Sequence, residues 1–290
     1  MTDESDEPVL TGLQRSKADV RSTHELIAIA LYGFYREFVY PDEDVDHSAL
    51  GALQDRGTRE VLDAALVLCD AENPLERELG VQILRELGRP ERTFPEECAD
   101  RLLRFLREEV DIEVLTAAVY AFSHLGSRRG DLELIKFKDH AEKRIRRGVA
   151  FSLAGTTHPD AVQALLHLMR DPYEGARDWA TTSIGGVVEI DGPEIREALL
   201  ERAADEDMCT RAEAHMGLAR RRDERVLPFL IAILKEQINP SDEDRHTGAD
   251  YCFHDAAKIL LDIANEEDIP VQSLVTALER LVSKRLEPPG

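Results

Sequence analysis

Apolar residues recur along this chain at steps of three and four, which is the spacing of one helix face. One run places Val162, Leu165 and Met169 on such a face, and similar runs lie at 97–107 and 226–234. A period near 3.6 residues predicts amphipathic helices. No stretch alternates β-branched and polar residues between turn signals, as a half-buried strand would. The pattern therefore predicts an all-α fold.

The helices carry a short repeated unit, in which an arginine is followed three residues later by alanine and five residues after that by glycine or alanine. The clear copies are Arg147-Ala150-Gly155, Arg177-Ala180-Gly185 and Arg211-Ala214-Ala219, and weaker copies begin at Gly80 and Ala118. Successive copies begin about 29 to 38 residues apart. This period is typical of a solenoid, in which each unit buries its apolar face only against its neighbours.

Turn residues divide the chain into paired helices. Gly88 and Gly126 fit the left-handed residue that ends a helix, and Pro159 and Pro193 fit the first turn of the next one. The predicted first helices are 74–87, 112–125, 141–154, 173–185 and 207–220, and the second helices are 95–109, 131–138, 159–170, 193–204 and 225–237. An N-terminal helix at 18–38, a pair near 48–70 and a last pair at 249–264 and 270–285 complete the prediction.

The expected architecture is a right-handed α-α superhelix of about six or seven helical pairs, forming a single array over 18–285. An acidic, disordered N-terminus at 1–17 and a frayed C-terminus at 286–290 flank the array. The 4 cysteines are far apart, no signal-peptide pattern opens the chain, and no apolar run reaches the roughly 20 residues that cross a bilayer. We expect a soluble cytoplasmic monomer without a membrane partner.

Residues 158–185 read HPDAVQALLHLMRDPYEGARDWATTSIG, and the next unit repeats the theme at Asp205 and Arg211. This stretch resembles the HEAT-like repeat of the phycobilisome-lyase type. The resemblance covers about 140–237 well and about 48–126 more weakly. It implies a HEAT-like solenoid, but such repeats occur in scaffolds, inhibitors, lyases and nucleic-acid enzymes. The fold is therefore predicted more closely than the function.

The resemblance also implies a ladder between adjacent repeats, formed by an arginine and an aspartate about six residues before it. Asp171 with Arg177 and Asp205 with Arg211 have this spacing, whereas Arg147 has alanine at the aspartate position. The alternative is that the stacked arginines bind an anion. The planar guanidinium fork suits a carboxylate, which favours the ladder.

One group of residues has metal-ligand chemistry. His246, Asp250 and His254 are spaced four residues apart and are ligand types that suit zinc or iron. Gly248 interrupts the stretch and no second cluster completes a coordination sphere, so we expect no metal and no cofactor. The sequence also lacks a phosphate loop, a nucleophile elbow and a dinucleotide fingerprint. These features favour a protein without catalytic activity.

Net charge is -22, from 58 acidic and 36 basic residues. Such a field repels nucleic acid and attracts cations, so we expect a protein partner that is basic, and no nucleic acid. Two basic stretches, 127–147 and 211–225, oppose this expectation because they could form a phosphate track.

The expected function is a non-catalytic scaffold, inhibitor or adaptor that binds a protein on the concave face lined by the second helices. The side chains expected to project there are Arg101, Arg104, Gln163, His167, Arg170, Glu197, Glu201 and Arg202. The alternative is a HEAT-like enzyme of the bilin-lyase or DNA-glycosylase type, acting on a tetrapyrrole or on nucleic acid.

Overall fold

A computed structural model describes residues 19–39, 48–187, 189–238, 248–264 and 269–286. Within these ranges the chain forms fifteen α-helices, joined by turns and short 3-10 segments, and no strand. The prediction of an all-α fold built from helical pairs is confirmed. The acidic N-terminus predicted at 1–17 and the last residues, 287–290, lie outside the described residues.

The chain divides into two compact units, 1–134 and 135–290. The first unit contains α1 (Thr23–Val39), α2 (Ser48–Arg56), α3 (Arg59–Cys69), α4 (Pro74–Arg85), α5 (Pro95–Glu108), α6 (Ile112–Leu125) and α7 (Asp131–Leu134). In this unit α4 and α6 pack side by side as first helices, while α3 packs on α4 and α5 packs on α6.

The second unit continues the pattern with four pairs. Its helices are α8 (Lys143–Ser152), α9 (Pro159–Leu168), α10 (Glu174–Gly186), α11 (Pro193–Arg202), α12 (Met208–Arg220), α13 (Leu227–Ile238), α14 (Gly248–Leu260) and α15 (Val271–Leu286). The first helices α8, α10, α12 and α14 pack side by side in that order. The second helices α9 and α11 each pack on the next first helix, and α13 packs on α15.

Several predicted helices differ from the structure in their bounds, two of them for a clear local reason. The N-terminal helix begins at Thr23 instead of 18, because Ser22 caps it: the backbone N–H of Ser22 donates to the Glu25 carboxylate (2.7 Å), and the N–H of Glu25 donates back to the Ser22 hydroxyl (3.2 Å). The predicted helix 131–138 is divided into α7 and a 3-10 turn, since its last N–H groups bond three residues back, as Lys138 does to Ile135 (3.2 Å).

The repeated unit of the sequence forms the contact between first helices. Ala150, Ala180 and Ala214 are fully buried. At the crossing of α10 and α12, a Cβ added to Gly217 would lie 2.8 Å from the Cα of Gly185, so a larger residue would force the helices apart. Small residues at these positions are therefore required by the close packing of successive repeats.

The core between α11, α12 and α14 contains a histidine. His215 is 1% exposed, and its Nε2 donates to the carbonyl of Ala203 (2.9 Å) while the ring packs edge-on against Phe253 at 5.1 Å. Its Nδ1 has no hydrogen-bond partner among the described residues, so a second proton would be an unpaired donor in the core. Burial therefore lowers the pKa of His215 from 6.5 to about 4.

We expect His215 to make the stability of the fold depend on pH. The unfolded chain takes up this proton near pH 6.5 and the folded chain only near pH 4, so the free energy of unfolding falls as the pH drops through that window, by roughly 2 to 3 kcal/mol at its lower end. His215→Gln should flatten this part of the dependence, and His24→Gln on exposed α1 should not. Urea unfolding across the window measures it; parallel curves for wild type and His215→Gln would contradict the prediction.

Candidate functional site

One edge of each unit carries a ladder of arginines and carboxylates that links adjacent repeats. In the best-formed rung, Arg177 on α10 donates through Nη2 and Nε to the carboxylate of Asp205 in the next repeat (3.0 and 3.1 Å). Its Nη1 donates to the backbone carbonyl of Asp171, in the turn before its own helix (3.0 Å). The side chains of Arg177 and Asp205 are only 8% and 3% exposed. One guanidinium thus joins two consecutive turns.

Other rungs share this geometry, in which an arginine bonds the carbonyl six residues before it and a carboxylate of the next repeat. Arg146 bonds the carbonyl of His140 (2.8 Å) and the carboxylate of Asp171 (2.6 and 2.9 Å), and Arg77 bonds the carbonyl of Ala71 (3.1 Å) and the carboxylate of Glu109 (2.8 and 3.0 Å). Arg211 shows only the carbonyl half of this geometry, since it donates to the carbonyls of Asp205 (2.5 Å) and Glu206 (2.9 Å).

The assignment of Arg147 to the ladder is corrected. The rung is made by Arg146, which stands six residues after His140, whereas Arg147 points to solvent. Each ladder aspartate pairs with the arginine of the preceding repeat, not with the arginine six residues after it. The Asp171 carboxylate accepts from Arg146, and Arg177 donates to the Asp171 backbone carbonyl instead of to its carboxylate. Sequence reasoning missed the Arg77 rung, because a glutamate replaces the expected aspartate.

The ladder carboxylates are held ionised. Burial alone would raise the pKa of Asp205, but the hydrogen bonds from Arg177 and from the backbone of Asp207 outweigh it, and the pKa is lowered. The pKa of Asp171 is lowered by the same balance, with Arg146 as the donor. Carboxylates committed to these pairs cannot also serve a ligand, so the ladder is a scaffold for the edge on which it lies.

Clefts open between the turns of this edge. In the second unit, cavities of about 540 Å³ and about 480 Å³ share Arg170, Asp171 and Pro172 in their walls. In the first unit a smaller one, of about 190 Å³, lies beside Arg77 and Arg101. The walls of all three contain charged side chains of both signs, which suits charged ligand groups.

The second helices present an exposed surface to solvent, which we call the second-helix surface. In the second unit it links α9 to α11, since Gln163 donates to Glu194 (3.1 Å) and Arg170 pairs with Glu201 (2.8 Å). Two other residues predicted to project there also have partners: Glu197 pairs with Arg225, and His167 contacts Asp139 (2.7 Å). In the first unit Arg104 pairs with Glu108 (2.7 Å).

Two residues predicted to project from this surface do not. Arg101 is 11% exposed and reaches back to the Cys69 carbonyl and to Asp70 (2.8 Å). Arg202 is 20% exposed and donates to Asp205 (2.9 Å), which places it against the ladder. Both side chains are half-buried supports of the turns: Arg101 reaches the end of α3, and Arg202 folds back over the end of its own helix, α11.

Carboxylates outnumber bases on the second-helix surface of the first unit. The exposed acids of α3, α5 and the turn after α3 are Glu60, Asp63, Asp70, Glu72, Glu96, Glu97, Asp100 and Glu108. The exposed bases of the same elements are Arg59, Arg104 and Arg107. The described part of this surface is therefore acidic, in keeping with the net charge of the chain.

The arginine-rich stretch 211–225 does not form a phosphate track among the described residues. Arg221 is buried and bonded to backbone carbonyls, Arg222 pairs with Asp262 (2.5 Å), and Arg225 pairs with Asp223 (2.7 Å). Guanidiniums committed in this way are not available to a row of phosphates.

A half-buried carboxylate on α10, that of Asp178, has a raised pKa. Burial, together with the neighbouring carboxylates of Asp207 and Glu213, raises the pKa of Asp178 from 3.8 to about 6. The unfolded chain ionises near pH 3.8 and the folded chain near pH 6, so this group destabilises the fold above that window.

We therefore expect Asp178→Asn to raise the free energy of unfolding by about 1 kcal/mol at neutral pH, after allowance for solvent screening. The gain should shrink as the pH falls towards the ordinary range of a carboxylate. Asp160→Asn, at an exposed position on α9, is the matched control and should change little. Thermal melts over the pH range measure both, and a loss of stability for Asp178→Asn at neutral pH would contradict the prediction.

The candidate metal ligands are only partly described. His246 and the side chain of Asp250 lie outside the described residues, and His254 contacts the Oε1 of Gln237 through its Nε2 (3.1 Å). No group of three or more His, Cys, Asp or Glu side chains in the described part of the chain is arranged to hold a metal ion.

Comparison with known proteins identifies the repeat. The family model of the PBS lyase HEAT-like repeat matches residues 145–171, which contain the Arg146–Asp171 rung. The chain is a HEAT-like repeat protein. The HEAT-like chain is also similar to Protein YibA of Escherichia coli K12 and of Escherichia coli O157:H7, at 24% identity over 228 residues, which is 71% of this chain and 79% of each relative.

A solved structure of similar fold supports the architecture. The X-ray structure of Escherichia coli YibA superimposes with a TM-score of 0.64 at 20% sequence identity, covering 92% of this chain and 95% of that one. At this identity the likeness concerns the fold of the HEAT-like protein alone. Among its described residues, no helix combines the length and the apolar character that a membrane span requires.

Proposed function

We propose that this HEAT-like protein is a non-catalytic scaffold, inhibitor or adaptor that holds a basic protein partner on its second-helix surface. The observation that most supports this is the surplus of exposed carboxylates on α3 and α5. Opposite charges steer two proteins together and raise the association rate more than the final affinity. The surface is also built on rigid helices joined by cross-helix pairs such as Arg59 with Glu97 (2.8 Å).

The ladder and the second-helix surface have separate roles in this proposal. The buried rungs set the spacing of successive repeats, and the exposed side chains of the second-helix surface contact the partner. A cytoplasmic location would fit a chain with 4 free cysteines, two of them, Cys69 and Cys98, buried thiols.

The second candidate function, a lyase or glycosylase activity, has less support. Trp179 could have stacked on a base or a tetrapyrrole, but it packs edge-on against Phe151 at a centroid distance of 4.4 Å. The pairing of the arginines at 221–225 further reduces the support for nucleic acid as a substrate.

The test compares two double variants of the full chain that change its charge equally. Glu60→Lys with Glu108→Lys alters the second-helix surface, while Glu91→Lys with Glu113→Lys alters exposed positions elsewhere in the first unit. With a partner captured from the native host, we expect the first pair to slow association roughly tenfold and the second by no more than about twofold. Added salt should slow association of the wild type far more than it speeds dissociation.

Two outcomes would reject the proposal. One is an association rate that ignores salt, and the other is an equal effect of the two double variants, since either would mean that the carboxylates of α3 and α5 do not meet the partner.

A further inference from the structure

A basic patch lies on the second unit of this acidic chain, at a first helix. It consists of Lys136, Lys143, Arg144 and Arg147, all exposed, at the start of α8 and in the turn before it. We call it the α8 patch. Because the chain as a whole carries a net charge of -22, a compact group of exposed cations is a local reversal of its field.

Neighbouring carboxylates neutralise part of this charge. Asp139 is shared between Lys138 and His167 (2.7 Å). Glu142 accepts from the backbone N–H and the side chain of Arg144 (3.1 and 3.2 Å). Asp171, at the edge of the patch, is committed to the ladder. Arg147 lies within electrostatic reach of the Asp178 carboxylate on α10. Lys143 and Arg147 are both exposed to solvent.

An aromatic ring fixes one of these cations in position. The Nζ of Lys143 lies 4.7 Å from the centroid of the Tyr173 ring, which is a cation–π contact. Pro172, next to Tyr173, and Ala141, two residues before Lys143, line the cleft of about 540 Å³. The α8 patch therefore has a positioned ammonium near a cavity large enough to admit a carboxylate side chain.

We infer that the α8 patch binds an acidic segment of a partner protein. Carboxylates of that segment contact Lys143 and Arg147, and one acidic side chain enters the adjoining cleft. Each contact is an exposed, charge-assisted hydrogen bond, so the binding depends on salt and on both cations.

The structure favours a short acidic peptide over nucleic acid as the ligand. From Lys143 to Arg147 the helix rises only about 6 Å, which can match two or three charges. A longer polyanion would run onto exposed Glu174 and half-buried Asp178 on the neighbouring first helix, α10. The face of Tyr173 is occupied by Lys143 and is not open for the base stacking that single strands use.

The test measures fluorescence anisotropy with the full chain at low salt. The probes are a labelled dodecapeptide of alternating glutamate and serine, the same peptide with glutamine for glutamate, and a labelled single-stranded DNA of equal length. Lys143→Gln with Arg147→Gln removes two patch cations, and Arg104→Gln with Arg107→Gln removes two exposed cations of α5 as a matched control. Thermal melts check that both variants fold, and Arg147→Gln alone provides a milder change.

We expect the glutamate peptide to bind, with roughly tenfold loss in the patch variant, about threefold loss in Arg147→Gln and no more than about twofold loss in the control. The glutamine peptide should bind at least about tenfold more weakly. The inference is overturned if the glutamate peptide does not bind, if the control loses as much as the patch variant, or if the DNA binds more tightly than the peptide with the same dependence on Lys143 and Arg147.

Discussion

Replacing Arg221 by alanine is expected to lower the free energy of unfolding by about 3 to 5 kcal/mol. The side chain of Arg221 is 0% exposed, so its guanidinium depends on protein acceptors, and its Nε has none within hydrogen-bond distance among the described residues. It donates to five backbone carbonyls at 2.7 to 3.2 Å, those of Ile184, Gly185, Val187, Ile190 and Gly217. Alanine would leave these acceptors buried and would release the turn that follows α10.

The neighbouring arginine is the matched control for this prediction. Arg220 is exposed, and it reaches the Gly185 carbonyl at 3.4 Å. Its replacement by alanine should change the free energy of unfolding by no more than about 0.5 kcal/mol. Urea unfolding followed by circular dichroism measures both variants. Equal and small losses would show that the buried guanidinium does not hold the turn.

Arg177→Ala is expected to cost about 3 kcal/mol, because it removes the bidentate partner of the buried Asp205 carboxylate, which then keeps only Arg202 and the backbone N–H of Asp207. Arg170→Ala, which removes an exposed pair with Glu201, should cost less than about 1 kcal/mol. The affinity for the partner should change only indirectly in the Arg177 variant, since the side chains of this rung are buried and cannot contact the partner.

The double variant Arg177→Ala with Asp205→Ala removes both partners, so it distinguishes the interaction energy of the pair from the cost of leaving one charge buried. If the rung acts as one unit, the double variant should be less destabilised than the sum of the two single variants, with a coupling of about 1 to 3 kcal/mol. An Arg177→Ala protein that melts normally and yet fails to bind its partner would contradict the account and would make Arg177 a binding residue.

Most of the fold could be predicted from the sequence because it depends on short-range patterns. The alanines of the repeated unit, such as Ala150 and Ala180, are fully buried, so the period of the sequence is the period of the helix contacts. Prolines and glycines mark the ends of helices for the same local reasons.

The site could be predicted only in part, because the direction and length of each side chain determine which partner it bonds. Whether Arg146 or Arg147 makes the rung depends on which of the two faces the next turn, a choice that spacing alone leaves open by one residue. In the sequence, Arg221 belongs to the basic stretch 211–225, and nothing in its sequence context indicates that five backbone carbonyls surround its guanidinium. Arginines whose partners are backbone atoms carry no sequence pattern of their own.

Carboxyl footprinting of the complex tests the central claim most directly. The partner captured from the native host is bound to the full chain, accessible carboxylates are converted to amides, and the labelled positions are read by mass spectrometry. The account predicts that binding protects Glu60, Asp63, Asp100 and Glu108 on the second helices and leaves Glu113 and Glu174 on the first helices unchanged. Protection of the first-helix carboxylates with full labelling of α3 and α5 would contradict it.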